Sequence, residues 1–239
     1  MHPLERLLTE DVPVIVQGAT GRAGRQHTEM MRRYGTKIVG GIPAAGAKRE
    51  GPPDVPLFDR MSEAAAATGA KTSIVMVPPL QVLAAVSEAF AAGFELVVSI
   101  AEGVPVHDSI RALAIAREVG AVWVGPSTPG VAVPRRLKLG FLPDVTLAPG
   151  TLGVMSKSGT LSYEVNYQLV RQGLGQTLWV GVGGDPVKGT RFADLVPIFA
   201  SHPGTQGLLV LGEIGGDEEE ALAEALIAYR FAKPVYALI

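Results

Sequence analysis

Apolar and polar positions alternate along this chain on two periods. Short apolar runs at Val12–Gln17, Lys37–Gly40, Ser73–Val77, Leu96–Ile100 and Ala121–Val124 are unbroken enough to predict strands buried on both faces. Between them, residues 22–35, 60–69, 80–93 and 106–119 carry Ala, Leu, Glu, Met and Arg at helical spacing. Strands that alternate with helices predict parallel βαβ units. Residues 1–125 are therefore expected to form one doubly wound, Rossmann-like α/β domain.

Residues 126–150 break the pattern. Pro126, Pro129, Pro134, Pro143 and Pro149 punctuate them, and helical periodicity is lost. The stretch is too apolar for a flexible linker, so a packed connector is expected. Alternation resumes with strands at Leu152–Met155, Thr177–Val182, Gly207–Leu211 and Pro234–Ile239, and with helices at 160–173, 190–200 and 217–231. This predicts a second parallel α/β domain over 151–239. A buried parallel strand is ordinarily covered by a following helix, and none follows Ile239. The second domain is therefore expected to be incomplete as given.

Composition narrows the class. The 239 residues are 47% hydrophobic and 18% charged, enough for a sizeable core and too few charges for disorder. Twenty-one basic residues against 23 acidic leave a formal charge of −2, without the electrostatic footprint of a nucleic-acid partner. The absence of cysteine excludes disulfides, thiolate zinc sites and a cysteine nucleophile. The N-terminal MHPLERLLTEDVP does not read as a signal peptide, and no apolar run reaches the ~20 residues of a membrane helix. A soluble, cytoplasmic protein with no membrane partner and no metal site is expected.

Two turns carry candidate chemistry. Gln17-Gly18-Ala19-Thr20-Gly21-Arg22-Ala23-Gly24 joins the first strand to the first long helix. Its glycines allow a tight turn and close approach of a ligand, and the N–H groups of a helix start favour phosphate. The spacing is G-x-x-G-x-x-G, and the ribose-reading acid of nicotinamide enzymes is replaced by Gly-Gly-Ile-Pro-Ala-Ala-Gly at 40–46. A nicotinamide cofactor is disfavoured and another phosphate-bearing nucleotide stays open, beside the plain reading of a strand-to-helix turn.

The second turn, Met155-Ser156-Lys157-Ser158-Gly159-Thr160, repeats the geometry in the second unit. Its hydroxyls, backbone donors and Lys157 would suit an anion; taken alone it reads equally as a serine N-cap. It is not a Walker loop. Gly183-Gly184-Asp185-Pro186 and Gly212-Glu213-Ile214-Gly215-Gly216 follow the next two strands, at the carboxyl ends where open α/β sheets bind ligands. The acidic run Asp217–Glu220 needs no function, since acids suit a first helical turn.

Taken together, QGATGRAG, YGTKIVGGI, SIAEGVP, GPSTPG, SKSGTLSYE, GVGGDPVKGT and GEIGG resemble, in order and over almost the whole chain, the α-subunit family of succinyl-CoA synthetase (succinate–CoA ligase). The resemblance implies an N-terminal Rossmann-like domain that binds coenzyme A and a second, flavodoxin-like domain that carries a phosphohistidine. It implies a separate β subunit of ATP-grasp fold holding NTP and Mg2+, with acyl-CoA formed from a small carboxylic acid, CoA and NTP.

Carried over position by position, the CoA pyrophosphate falls at Thr20, Gly21, Arg22 and Ala23, with Ile100, Ala101 and Glu102 lining the same site. Tyr163 matches a substrate-binding tyrosine, and Ser156, Lys157, Ser158, Gly159 and Thr160 match the helix start that steadies the phosphohistidine. Glu213 matches the acid that orients that histidine.

Three departures accompany the match. The family's CoA-contacting lysine is replaced by Gly46, and Lys48, two residues on, is expected to substitute. The family's G-P-N-C-P-G has become Gly125-Pro126-Ser127-Thr128-Pro129-Gly130, which points to an acid other than succinate. The G-H-A-G-A phosphohistidine motif is absent, and His2, His27, His107 and His202 are expected to be structural. The leading expectation is an α-type ligase subunit whose histidine lies beyond the residues given. The alternative is a non-catalytic CoA-binding or regulatory relative.

Overall fold

The computed structural model describes residues 1–46 and 50–239 and arranges them as two sheets. Helix α1 (Pro3–Thr9) precedes the alternating pattern and buries Leu4 and Leu7. It starts where it does because His2 accepts from Leu4 N while Glu5 accepts from His2 N, a reciprocal cap.

The first sheet follows from β1 (Val14–Gln17), α2 (Arg22–Tyr34), β2 (Ile38–Ile42), α3 (Met61–Thr68), β3 (Thr72–Val75), α4 (Val82–Ala91), β4 (Leu96–Ser99), α5 (Val106–Glu118) and β5 (Val122–Val124). Its order is β2-β1-β3-β4-β5 and every pairing is parallel. All residues of β1, β3 and β4 are buried, as strands covered by helices on both faces must be.

Residues 126–150, expected as a connector, instead build sheet. β6 (Gly130–Val133) and β7 (Leu137–Gly140) form an antiparallel pair, and β6 adds antiparallel to a strand some fifty residues later. The prolines bound these strands without interrupting them: Pro129 precedes β6 and Pro134 opens the turn to β7. The run is apolar because Val131, Val133, Leu137 and Leu139 are buried.

The second sheet continues with β8 (Pro149–Ser156), α6 (Gly159–Arg171), β9 (Gln176–Gly181), α7 (Phe192–Ser201), β10 (Gly207–Leu211), α8 (Glu218–Ala228) and β11 (Val235–Leu238). The order β11-β10-β8-β9-β6-β7 makes it a mixed sheet with a four-stranded parallel part. That part is wound like the first sheet, with β8 between β9 and β10 as β1 lies between β2 and β3. The order in which successive strands are added reverses at β1/β3 and again at β8/β10, which opens a crevice at each set of carboxyl ends. The residues of β11, expected to be buried, are exposed.

One apolar cluster runs from Leu4, Val16 and Val98 through Val131 and Leu139 to Phe192 and Phe199, so the two sheets share a core. Polar ties reinforce it. Thr36 Oγ1 donates to Lys138 O at 2.8 Å and accepts from Lys138 N at 3.0 Å, and Thr190 Oγ1 donates to Trp123 O at 2.7 Å. No helix among the described residues is long and apolar enough to cross a membrane.

Candidate functional site

The carboxyl ends of both sheets face one cleft of about 1020 Å³. On one side stand the turns after β1, β3 and β4; on the other, those after β8, β9 and β10.

The turn after β1 is shaped by contacts only glycine permits. Gly18 has φ +82°, and a Cβ there would lie 2.4 Å from Met76 O. A Cβ on Gly24 would lie 2.0 Å from Gly18 O, so the helix start folds directly over the turn. No side chain caps the N-terminus of α2, which leaves its first N–H groups to the cleft. Gly21, Arg22 and Ala23 line the cleft, and Arg22 is exposed. Thr20 is buried behind them, where its Oγ1 accepts from Ala44 N at 2.9 Å and props the segment Ala44-Ala45 against the opening. Lys48 lies outside the described residues.

Ile100, Ala101 and Glu102 line the same cleft after β4. Ser127 N donates to Ala101 O at 2.9 Å, so the 125–130 loop is laid against them. Ser127, Thr128 and Pro129 form the floor between the two sheets.

On the other side, Ser158 Oγ accepts from Leu161 N at 3.3 Å and caps α6, while Gly159 and Thr160 line the opening. Ser156 is buried and donates to Ser158 O at 2.8 Å, a strut beneath the turn. Tyr163 lines the cleft half-buried, with its ring edge-on to Trp179, and burial raises its phenol above the ordinary value. Lys157 also lines the cleft, and its ammonium is directed to Glu213 O and Gly215 O at 2.9 and 3.0 Å and to Glu219.

Asp185 reaches the cleft after β9 and is the residue the sequence pattern left without a role. Burial raises its carboxyl, the facing Glu102 adds to that, and Ser127 and Lys188 oppose it. Phe141, hidden in the stretch expected as a connector, forms part of the wall. Glu213 completes the far side, exposed, with its N–H donated to Glu219 Oε1 at 3.0 Å. The acidic run at α8 therefore does more than suit a dipole. Glu219 pairs with Lys157, Glu218 with the buried Lys188, and Asp217 with Arg191.

No histidine lines the cleft among the described residues. His2 caps α1, His27 stacks on Phe141, and His202 Nδ1 lies 3.0 Å from Thr205 Oγ1. No three His, Asp or Glu side chains gather as a metal site among those residues.

Residues 9–103 match the CoA binding domain family, and residues 155–239 match the CoA-ligase family. The succinate–CoA ligase [ADP-forming] subunit alpha of Aquifex aeolicus is 42% identical over 98% of this chain and 76% of its own length. The malate–CoA ligase subunit alpha of Methylorubrum extorquens is 41% identical over 98% of this chain and 79% of its own. Among solved structures, an ATP citrate lyase of Methanosaeta concilii superposes with a TM-score of 0.83 at 23% identity, covering 95% of this chain and 40% of that one. That last likeness is one of fold.

Proposed function

The chain belongs to the α-subunit family of the succinate–CoA ligases, and from that premise we propose that its cleft holds coenzyme A at the first turn and a phosphoryl group at the second. It is an α-type subunit of an acid–thiol ligase. One observation carries the reading of the site. Two helix starts, at Gly21 and Ser158, leave the switch points of two sheets and open on a single cleft.

The first half of the cleft fits a pyrophosphate. The uncapped start of α2 offers N–H groups, the missing side chain of Gly21 leaves room above them, and Arg22 supplies charge. Ile100 and Ala101 give apolar wall, Thr20 keeps Ala44 in place, and Lys48 is assigned to CoA as well. Coenzyme A supplies the thiol that takes up the acyl group. At the second half, the N–H groups and hydroxyls of Ser158, Gly159 and Thr160 meet negative charge as it develops, and Ser156 keeps their turn in shape. Tyr163 borders the acid, and Glu213 orients the imidazole of the phosphohistidine.

That histidine is not among the four of this chain. The β partner is assigned an ATP-grasp fold, with NTP and Mg2+ on it, and the acid is a small dicarboxylate, as the names of the succinate and malate relatives suggest. A cytoplasmic setting goes with this reading.

Calorimetric titration with CoA tests the first half of the site. Micromolar binding that NADH does not reproduce is expected, and no heat with CoA at millimolar concentration would sink the proposal. Labelled NTP with the natural subunit and its β partner tests the second half, where a phosphorylated α chain is expected.

A further inference from the structure

The loop after β10 brings Glu213 to the cleft with almost no packing of its own. Ile214 is 92% exposed. Gly215 and Gly216 have φ +117° and +78°, and a Cβ on either would meet nothing within 4 Å. What places Glu213 lies beneath it. Lys157 Nζ donates to Glu213 O at 2.9 Å and to Gly215 O at 3.0 Å, and it lies 3.3 Å from Glu219 Oε1. That same oxygen accepts from Glu213 N at 3.0 Å. The cation thus pins the carbonyl of Glu213 and the carboxylate pins its N–H.

The pair is largely dry, with side-chain exposures of 6% for Lys157 and 16% for Glu219. Burial pushes the Glu219 carboxyl up, but the Glu213 N–H and Lys157 outweigh it and hold it below its ordinary value. A Cβ on Gly212 would lie 2.7 Å from Glu219 Oε1, so a glycine there gives the carboxylate its place. An ammonium has three N–H donors. The two carbonyls and Glu219 take up all three, which leaves none for an anion in the cleft.

We propose that Lys157 and Glu219 are positioning residues that hold Glu213 in register with the cleft, and that Lys157 is not a phosphate ligand. The inference rests on the reading of Glu213 as the acid that orients the phosphohistidine.

Acyl-CoA formation by the natural subunit with its β partner provides the test, in Lys157→Met, Lys157→Arg, Glu213→Gln and the Lys157→Met/Glu213→Gln double variant. Small misplacements of a catalytic group cost up to about 100-fold, so Lys157→Met is expected to lower kcat about 30-fold with KM for CoA within about twofold. Lys157→Arg should recover most of the loss. The double variant should be no slower than Glu213→Gln alone, because Lys157 acts through Glu213.

A raised KM for phosphate in the reverse reaction with kcat unchanged would make Lys157 a direct anion ligand and overturn the proposal. Multiplying losses in the double variant would do the same. If Lys157→Met does not fold, Glu219→Gln, alone and with Glu213→Gln, carries the same comparison. Wild-type turnover by Glu213→Gln would overturn the reading of Glu213 itself. A slow Glu213→Gln beside a normal Lys157→Met would overturn only the positioning role.

Discussion

The rings of His27 and Phe141 lie with centroids 4.1 Å apart at an interplanar angle of 47°, which stacks α2 of the first sheet on the residue that follows β7 of the second. Phe141 also forms part of the cleft wall, so this contact fixes one side of the site to the helix that opens the other. His27 Nδ1 is buried and has no hydrogen-bond partner among the described residues.

Burial, with the Lys138 charge adding to it, lowers the proton affinity of His27. His202 is lowered by burial and Lys233, and His2 by burial against the pull of Glu5 and Asp194. In each case the unfolded chain takes the proton more readily than the folded one, so stability falls as pH drops below the ordinary value of 6.5. The thermal midpoint should decline from about pH 7.5 to about pH 5.5, and His27→Leu should flatten the decline. An unchanged slope in His27→Leu would contradict the assignment to this histidine.

Gly24→Ala should be among the more damaging single-methyl changes in the chain. The added Cβ would sit 2.0 Å from the Gly18 carbonyl oxygen, and neither is the end of a flexible side chain. A loss of about 2–4 kcal/mol is expected from overpacking against backbone, together with weaker CoA binding. Urea unfolding read by tryptophan fluorescence measures the first part; a cost under about 0.5 kcal/mol would show that the turn can relax.

Arg22→Ala should separate binding from folding. Arg22 is exposed at the start of α2 and borders the cleft. CoA affinity is expected to fall about tenfold, or about 1.4 kcal/mol, while stability changes by less than about 0.5 kcal/mol. The salt dependence of CoA binding should also become shallower, and equal slopes in both proteins would place the phosphates elsewhere.

Thr128→Val keeps the shape of the cleft floor and removes its hydrogen bonds. Thr128 is 3% exposed, and its Oγ1 donates to Gly181 O and accepts from Gly130 N at 2.9 Å. Two backbone groups would lose this partner at once, for an expected cost of about 2–3 kcal/mol, and Thr128→Ser should retain most of the stability. Chemical denaturation of the three proteins decides, and equal midpoints would mean water replaces the hydroxyl.

Much of the architecture was legible because parallel strands covered on both faces leave unbroken apolar runs. The run Ser73–Val77 covers all of β3 but its first residue, Thr72, and Leu96–Ile100 contains β4. β6 and β7 were not legible. Val131 finds its sheet partner at Val180, and the surrounding prolines look like interruptions until that pairing shows they flank the strands. Phe141 went unnoticed for the same reason.

The sequence by itself determined the alternation of the parallel strands with the helices between them, the two glycine- and serine-bearing turns, and the family. Those depend on relations within a few residues, such as Gly18 with Gly24 or Ser158 with Leu161. Only the tertiary structure decided that both turns open on one cleft and that the Lys157 ammonium serves Glu213. The groups that take its three protons lie 56, 58 and 62 residues away in the chain. They meet because β8 and β10 are neighbours at the switch point of the second sheet. A charge pairs with whatever the fold brings within reach, and spacing along the chain does not record that distance.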